Sequence, residues 1–244
     1  LKVITMKKAI VIGAGFGGIA SALRLKKKGY NVEIIDRCNS IGGRAQFFDI
    51  KGFKYDAGPT IITAPFLFKE LFSLFNKKLE DYVTLKPLEI WYRFVFDDGS
   101  FFDYEQSTEK TIKNMRAISE KDADNYRSLL MQSKKIYDLA FETLAHKPFN
   151  SFFTMLNYLP SLLKFKSYKR VYSFTSKYLE SEKLRRAFSI QPLLVGGNPF
   201  DTTCIYSLIH YLERAHGVYF SMGGTGSLVN ALSKLMEEEN IKIT

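Results

Sequence analysis

Residues 8–36 read KAIVIGAGFGGIASALRLKKKGYNVEIID. Residues 8–12 are a short apolar run that ends in glycines, the pattern of a buried parallel strand. Over residues 16–28, Ile19, Leu23 and Leu25 recur at helical spacing, and Gly29 is a suitable stop. Residues 32–35 are a second apolar strand, and Asp36 stands at its end. The stretch is therefore strand, helix, strand, with the right-handed crossover that two parallel strands require. It places the chain in the α/β class, with a Rossmann-like unit at its head.

The loop between first strand and helix reads Gly13-Ala14-Gly15-Phe16-Gly17-Gly18 and matches GxGxxG at Gly13, Gly15 and Gly18. Gly13 permits the tight turn, Gly15 lets the backbone approach a diphosphate, and Gly18 lets the helix lie close to the strand. The helix N-terminus offers free N–H groups and the positive end of its dipole. Asp36 follows Gly18 by 18 residues and is placed to accept ribose hydroxyls. The spacing and its context predict a dinucleotide site.

Working outward, residues 47–55 alternate weakly around Gly52 and predict a hairpin. Ala64-Pro65 opens a helix through about Asn76. Residues 83–96 and 101–104 read as strands joined by Asp97-Asp98-Gly99-Ser100. Their aromatic residues suit a sheet packed against a large apolar partner, or reflect β-propensity alone. Residues 107–146 predict two helices meeting near Ser119, and further helices are expected at 177–188, 201–214 and 227–239. Short strands are expected at 217–220 and 241–243, where the chain ends.

The net charge is +10, and residues 147–186 hold nine Lys or Arg against two Glu. Such an excess suits an anionic partner or a solvated lysine-rich face. Residues 149–170 combine aromatics and leucines with lysines, which fits either an interfacial helix pair kinked at Pro160 or a core helix with a basic outer side. No apolar run reaches the ~18–20 residues of a membrane helix, and the glycines at 13–18 exclude reading residues 9–23 as a secretory signal. Cys38 and Cys204 stand far apart, which argues against a disulfide framework or zinc knuckle and fits a reducing compartment. No nucleic-acid recognition motif is present. His146, His210 and His216 show no metal-ligand or triad spacing, so no metal site is expected.

Six residues after Asp36 comes Gly42-Gly43-Arg44-Ala45. A glycine pair with arginine just past the acid is similar to flavin oxidoreductases of the amine-oxidase and carotenoid-desaturase type, and points to FAD rather than NAD. Arg44 can neutralise phosphate or steady the flavin. The stretches GAGFGGIASALRL, IIDR, IGGRA and FKYDAGPTIITAP together resemble the N-terminal part of bacterial and fungal phytoene desaturases. PLLVGGNPFD at 192–201, HGVY at 216–219 and GGTG at 223–226 resemble the middle of the same proteins. The cofactor-binding set implied is Gly13, Ala14, Gly15, Gly18, Asp36, Arg37, Gly43 and Arg44. Asp56 is read as a turn cap with a secondary possibility of orienting the flavin-side loop.

The resemblance implies a domain plan: residues 6–75 bind FAD, an inserted mixed sheet and helices at 76–215 bind substrate and membrane, and 216–244 return to the nucleotide domain. It implies desaturation of a linear carotene by hydride transfer to flavin, in a cytoplasmic enzyme peripheral to the membrane. Members of the family are longer, so the resemblance implies an incomplete flavin site and a homo-oligomer or C-terminal fragment as partner. Competing readings are a carotenoid ketolase, a saturase, an amine oxidase, or a non-enzymatic lipid or partner binder like the GDP-dissociation inhibitors. No catalytic base is assigned.

Overall fold

The computed structural model describes residues 7–145 and 169–244, which form two compact units. The first comprises residues up to Pro87 and from Val218 onward, and the second runs from Leu88 to Gly217.

In the first unit, β1 (Lys8–Ile12), α1 (Phe16–Lys27) and β2 (Asn31–Ile35) form a parallel βαβ unit. β10 (Lys242–Ile243) joins the free side of β2 in parallel, giving the strand order β1-β2-β10. α8 (Thr225–Glu238) supplies Leu228, Leu232, Leu235 and Met236 to a core that also holds Ile19 and Leu23 of α1 and Val32 and Ile34 of β2. β1 differs from the sequence expectation of a buried strand: Ile10 is 63% exposed and Ile12 88%. The cause is its position at the edge of this sheet, with helices of the core covering only one of its faces among the described residues.

β3 (Phe47–Ile50) and β4 (Phe53–Asp56) make the expected hairpin, with Lys51 and Gly52 both at positive φ in the turn. α2 (Pro65–Ser73) begins at Pro65 as expected but ends three residues before Asn76, which takes a left-handed φ of 59°. β5 (Ile61–Ile62), β9 (Tyr219–Ser221) and β6 (Leu85–Pro87) form a small antiparallel sheet around β9. This pairing, with Leu79 and Val83 buried in the first core, puts residues 76–87 in the first unit rather than in the inserted part.

The single strand expected over 83–96 is thus two. Pro87 has no N–H to continue a ladder, and β7 (Ile90–Val95) begins anew in the second unit, paired with β8 (Phe101–Glu105). α3 (Thr108–Arg116) and α4 (Glu120–Tyr137) meet at Ser119, whose hydroxyl accepts from Asp122 N–H. α4 runs into a wider helical turn at Asp138–Leu144. α5 (Val171–Thr175) lies ahead of the helix expected over 177–188, of which only the second half forms, as α6 (Glu182–Ala187). Asp122, fully buried, accounts for the late start: its carboxylate accepts from Glu180 N–H at 2.7 Å and Ser181 N–H at 2.8 Å, just ahead of α6. The helix expected from 201 starts as a tight turn at Cys204–Ser207 and becomes α7 (Leu208–His216). The stretch 149–170 lies outside the described residues except for Lys169 and Arg170, and His146 lies outside them too.

Candidate functional site

β1 delivers the chain into the glycine loop at the carboxyl end of the parallel sheet, where ligands of open α/β sheets bind. Gly13 turns with φ 100° and donates its N–H to Ile35 O at 2.7 Å. A Cβ on Gly18 would stand 1.8 Å from Gly13 O, so helix and loop touch only because that atom is missing. The first turn of α1 carries no capping side chain and no acidic residue. Its N–H groups therefore keep their capacity for an anion.

Asp36 closes one side. Its carboxylate accepts from Ala14 N–H at 2.7 Å and from Cys38 N–H at 2.9 Å. These two bonds, the first above all, hold its pKa below the ordinary carboxylate value. The group stays ionised at neutral pH and retains lone pairs for further donors.

Gly42 and Gly43 close another side. Gly42 N–H donates to Ala14 O at 2.8 Å, and Gly15 pairs with Gly42 as a parallel bridge. Gly43 has φ 58°, and a Cβ there would stand 2.9 Å from Gly15 Cα. A Cβ on Gly58 would meet Arg44 O at 2.0 Å. The two glycine motifs are packed backbone on backbone, which leaves a shallow cradle walled by peptide groups. The residues present fit a dinucleotide diphosphate. Arg37 and Arg44 are exposed, and among the described residues neither has an ion-pair partner. Asp56 accepts from Thr225 N–H at 2.9 Å and so caps α8. Gly224 beside it has φ 81° and no room for a Cβ, which would fall 2.9 Å from Asp56 Oδ1.

The structure thus brings Gly13, Ala14, Gly15, Gly18, Asp36 and Gly43 together, with Arg37 and Arg44 on the adjoining loop. Gly42, outside the set read from sequence, is the residue that ties the second motif to the first. Its φ of 111° is the signal that the glycine pair carried.

The second unit holds a buried polar cluster that spacing alone did not reveal. Glu213 is 1% exposed, and Tyr92 O–H donates to its Oε1 at 2.7 Å. Burial pushes the Glu213 carboxyl up to about 7, against the pull of that bond and of Arg214. His210 is 2% exposed and its Nδ1 lies 3.0 Å from Tyr104 O–H. Burial, with Arg214 nearby, drives its pKa down to about 3, so the ring is neutral. The Arg214 guanidinium sits 4.4 Å from the Tyr104 ring and 4.7 Å from the Trp91 ring. It donates to Tyr126 Oη, Glu105 O, Gln106 O and Thr111 Oγ1. His216 Nε2 lies 3.1 Å from Tyr137 Oη. Among the described residues no group of His, Cys, Asp and Glu could hold a metal ion, neither cysteine is disulfide-bonded, and no helix is long and apolar enough to cross a membrane.

Known proteins resemble this chain strongly. Phytoene desaturase (lycopene-forming) of Pantoea ananas is 42% identical over 233 residues, 96% of this chain and 47% of that protein. The enzyme of the same description from Paracoccus sp. is 39% identical over 231 residues, 95% of this chain and 46% of the relative. The chain therefore spans about half the length of these relatives. Cyclohexylamine oxidase from Brevibacterium oxydans superposes with a TM-score of 0.61 at 17% identity, over 98% of this chain and 51% of that one. That likeness shows the fold alone, an α/β fold over the length of the chain. Residues 16–243 match the flavin containing amine oxidoreductases, and the chain belongs to that family.

Proposed function

We propose that this chain carries the nucleotide-binding machinery, and part of the substrate-binding machinery, of an FAD-dependent desaturase acting on a linear carotene of the phytoene type. The observation that carries the reading is its 42% identity, over 96% of the chain, to a lycopene-forming phytoene desaturase. The peptide-walled cradle supports it, because an uncapped helix N-terminus beside an ionised Asp36 suits the diphosphate and ribose of a dinucleotide.

In this reading the N–H groups opening α1 hold the diphosphate, and Asp36 receives ribose hydroxyls on the lone pairs that Ala14 and Cys38 leave open. Arg37 and Arg44 balance the phosphate charge from the adjoining loop. Gly43 keeps that loop's backbone against Gly15. FAD, when bound, supplies the hydride acceptor. The chain's own residues position and shield it: the unit up to Pro87 and from Val218 onward seats the nucleotide, and the unit Leu88–Gly217 receives the substrate. The substrate is an unfunctionalised polyene, so recognition rests on apolar surface and shape. The basic, aromatic stretch 149–170 gives a peripheral contact with the cytoplasmic face of a bilayer, where carotenes reside.

The test is a chimera in which this chain replaces the matching residues of the Pantoea ananas relative. The expected result is a yellow flavoprotein that converts phytoene, supplied in liposomes, to a product absorbing at longer wavelength. A chimera that folds and binds FAD yet leaves phytoene unchanged overturns the substrate assignment. One that folds without flavin overturns the cofactor assignment as well.

A further inference from the structure

The first turn of α8 holds no acidic residue, and Gly224 at its N-cap has no side chain to accept from the free N–H groups. The acceptor comes instead from the end of the β3–β4 hairpin, 169 positions earlier. Both Asp56 oxygens face the start of the helix: Oδ1 accepts from Thr225 N–H at 2.9 Å, and a Cβ on Gly224 would lie 2.9 Å from Oδ1 and 3.3 Å from Oδ2. The carboxylate also faces the positive end of the helix dipole. Thr225 is fully buried, and its hydroxyl donates to Pro59 O just beyond the hairpin. A Cβ on Gly226 would meet the Phe47 ring at 2.5 Å. The first turn of α8 is thus fixed to both strands of the hairpin and to the turn that follows it.

The clamp reaches the second glycine motif by two routes. Val229, one turn further along α8 and 1% exposed, puts its methyl groups 3.1 and 3.2 Å from where a Cβ on Gly42 would stand. Gly42 is the residue whose N–H donates to Ala14 O and which bridges to Gly15. Two residues past Asp56, Gly58 approaches Arg44 O so closely that a Cβ would stand 2.0 Å from it. Asp56 therefore joins the helix behind Gly42 to the turn against Arg44.

We infer that Asp56 is a positioning residue for the second glycine motif: its carboxylate fixes where α8 begins, and Val229 then holds Gly42 against the first glycine loop. Without the cap the first turn of α8 frays. Val229 lies at the end of that turn, so Gly42 is the first residue to lose its backing. The consequence for FAD rests on the cofactor reading above; the contact between the loops does not.

Amide hydrogen exchange of the full chain reads that contact without flavin. In Asp56→Ala the Gly42 N–H should exchange about fivefold faster, the equilibrium worth of one helix cap, with the amides of β2 unchanged. Asp56→Asn keeps a side-chain oxygen for Thr225 N–H and should restore most of the protection. Val229→Ala leaves the cap in place but removes both methyl groups, and should expose Gly42 to a similar degree while Thr225 N–H stays protected. FAD affinity, from quenching of flavin fluorescence, should fall about fivefold in Asp56→Ala and Val229→Ala and less than about twofold in Asp56→Asn. Acceleration as large in β2 as at Gly42 would make the cap purely structural and overturns the proposal. Unchanged Gly42 exchange in Asp56→Ala or Val229→Ala, or no recovery in Asp56→Asn, overturns it too. The expected exchange pattern in a chain with no affinity for FAD upholds the role of Asp56 and overturns the cofactor reading instead.

Discussion

Glu213→Gln should stabilise the second unit, and by an amount that grows with pH. The Glu213 carboxyl is buried and raised from an ordinary 4.5 to about 7. Between those values the folded state keeps the proton and the unfolded chain releases it. Wild-type stability therefore falls as pH rises through this window, and the loss is complete above about 7. At about 1.4 kcal/mol per pH unit, the ionised form costs about 3 kcal/mol. Gln carries no charge and its side-chain oxygen still accepts from Tyr92. His210 runs the opposite way: with its folded pKa lowered from 6.5 to about 3, stability is lost as pH falls from 6.5 toward 3. That contribution is present in both proteins and cancels in their difference. Urea unfolding of both proteins, followed by Trp91 fluorescence from about pH 4 to about pH 8, measures the difference. It should be small at the acid end and reach about 3 kcal/mol in favour of the variant at the basic end. A difference that does not vary with pH, or a variant that is the weaker protein at about pH 8, refutes the reasoning.

Other outcomes follow from the same contacts. Gly18→Ala drives a methyl into Gly13 O, and should cost at least about 2 kcal/mol of thermal stability and abolish retention of FAD on desalting. Asp36→Asn removes the charge that both Ala14 and Cys38 N–H groups address, and should weaken FAD about tenfold or more by titration of flavin fluorescence. Arg214→Lys keeps the charge but cannot reach the four acceptors that the guanidinium fork serves, and should cost about 3 kcal/mol in urea unfolding. The chain should sediment with anionic liposomes at low salt and less so with neutral ones; equal recovery would remove the electrostatic part of the membrane proposal.

The nucleotide end was legible because its physics is local. A strand, a glycine turn and a helix within one short stretch fix the backbone path whatever the rest does, and the observed β1, α1 and β2 match the reading almost residue for residue. What failed was decided at long range. The exposure of Ile10 and Ile12 follows from which strands flank β1, and no periodicity reports that. The helix expected from 177 starts only at Glu182, because Asp122, some sixty residues earlier, offers the N–H groups of Glu180 and Ser181 a better partner than a helix does. His210, whose spacing showed no metal or triad pattern, and Glu213, three residues further along α7, are buried by partners distant in sequence: Tyr104, Tyr126 and Phe188 pack on the His210 ring and Tyr92 donates to Glu213.

The second glycine motif shows how far such contacts can be traced. Read along the chain, Gly42-Gly43 is a loop feature that follows an acid. In space Gly42 is hydrogen-bonded to Ala14 and bridged to Gly15, so both motifs form one peptide surface. A Cβ on Gly42 would lie 3.1 Å from Cγ2 of Val229, and Asp56, at the end of the hairpin, caps the helix that carries Val229. The cradle's shape is thus held by three stretches distant in sequence: the first glycine loop, the hairpin and α8. Loss of the Asp56 cap would leave Gly13, Gly15 and Gly18 untouched yet release the buttress behind Gly42. In the proposed site the glycines let a nucleotide approach, and Val229 of α8 backs Gly42, the residue that joins the two loops.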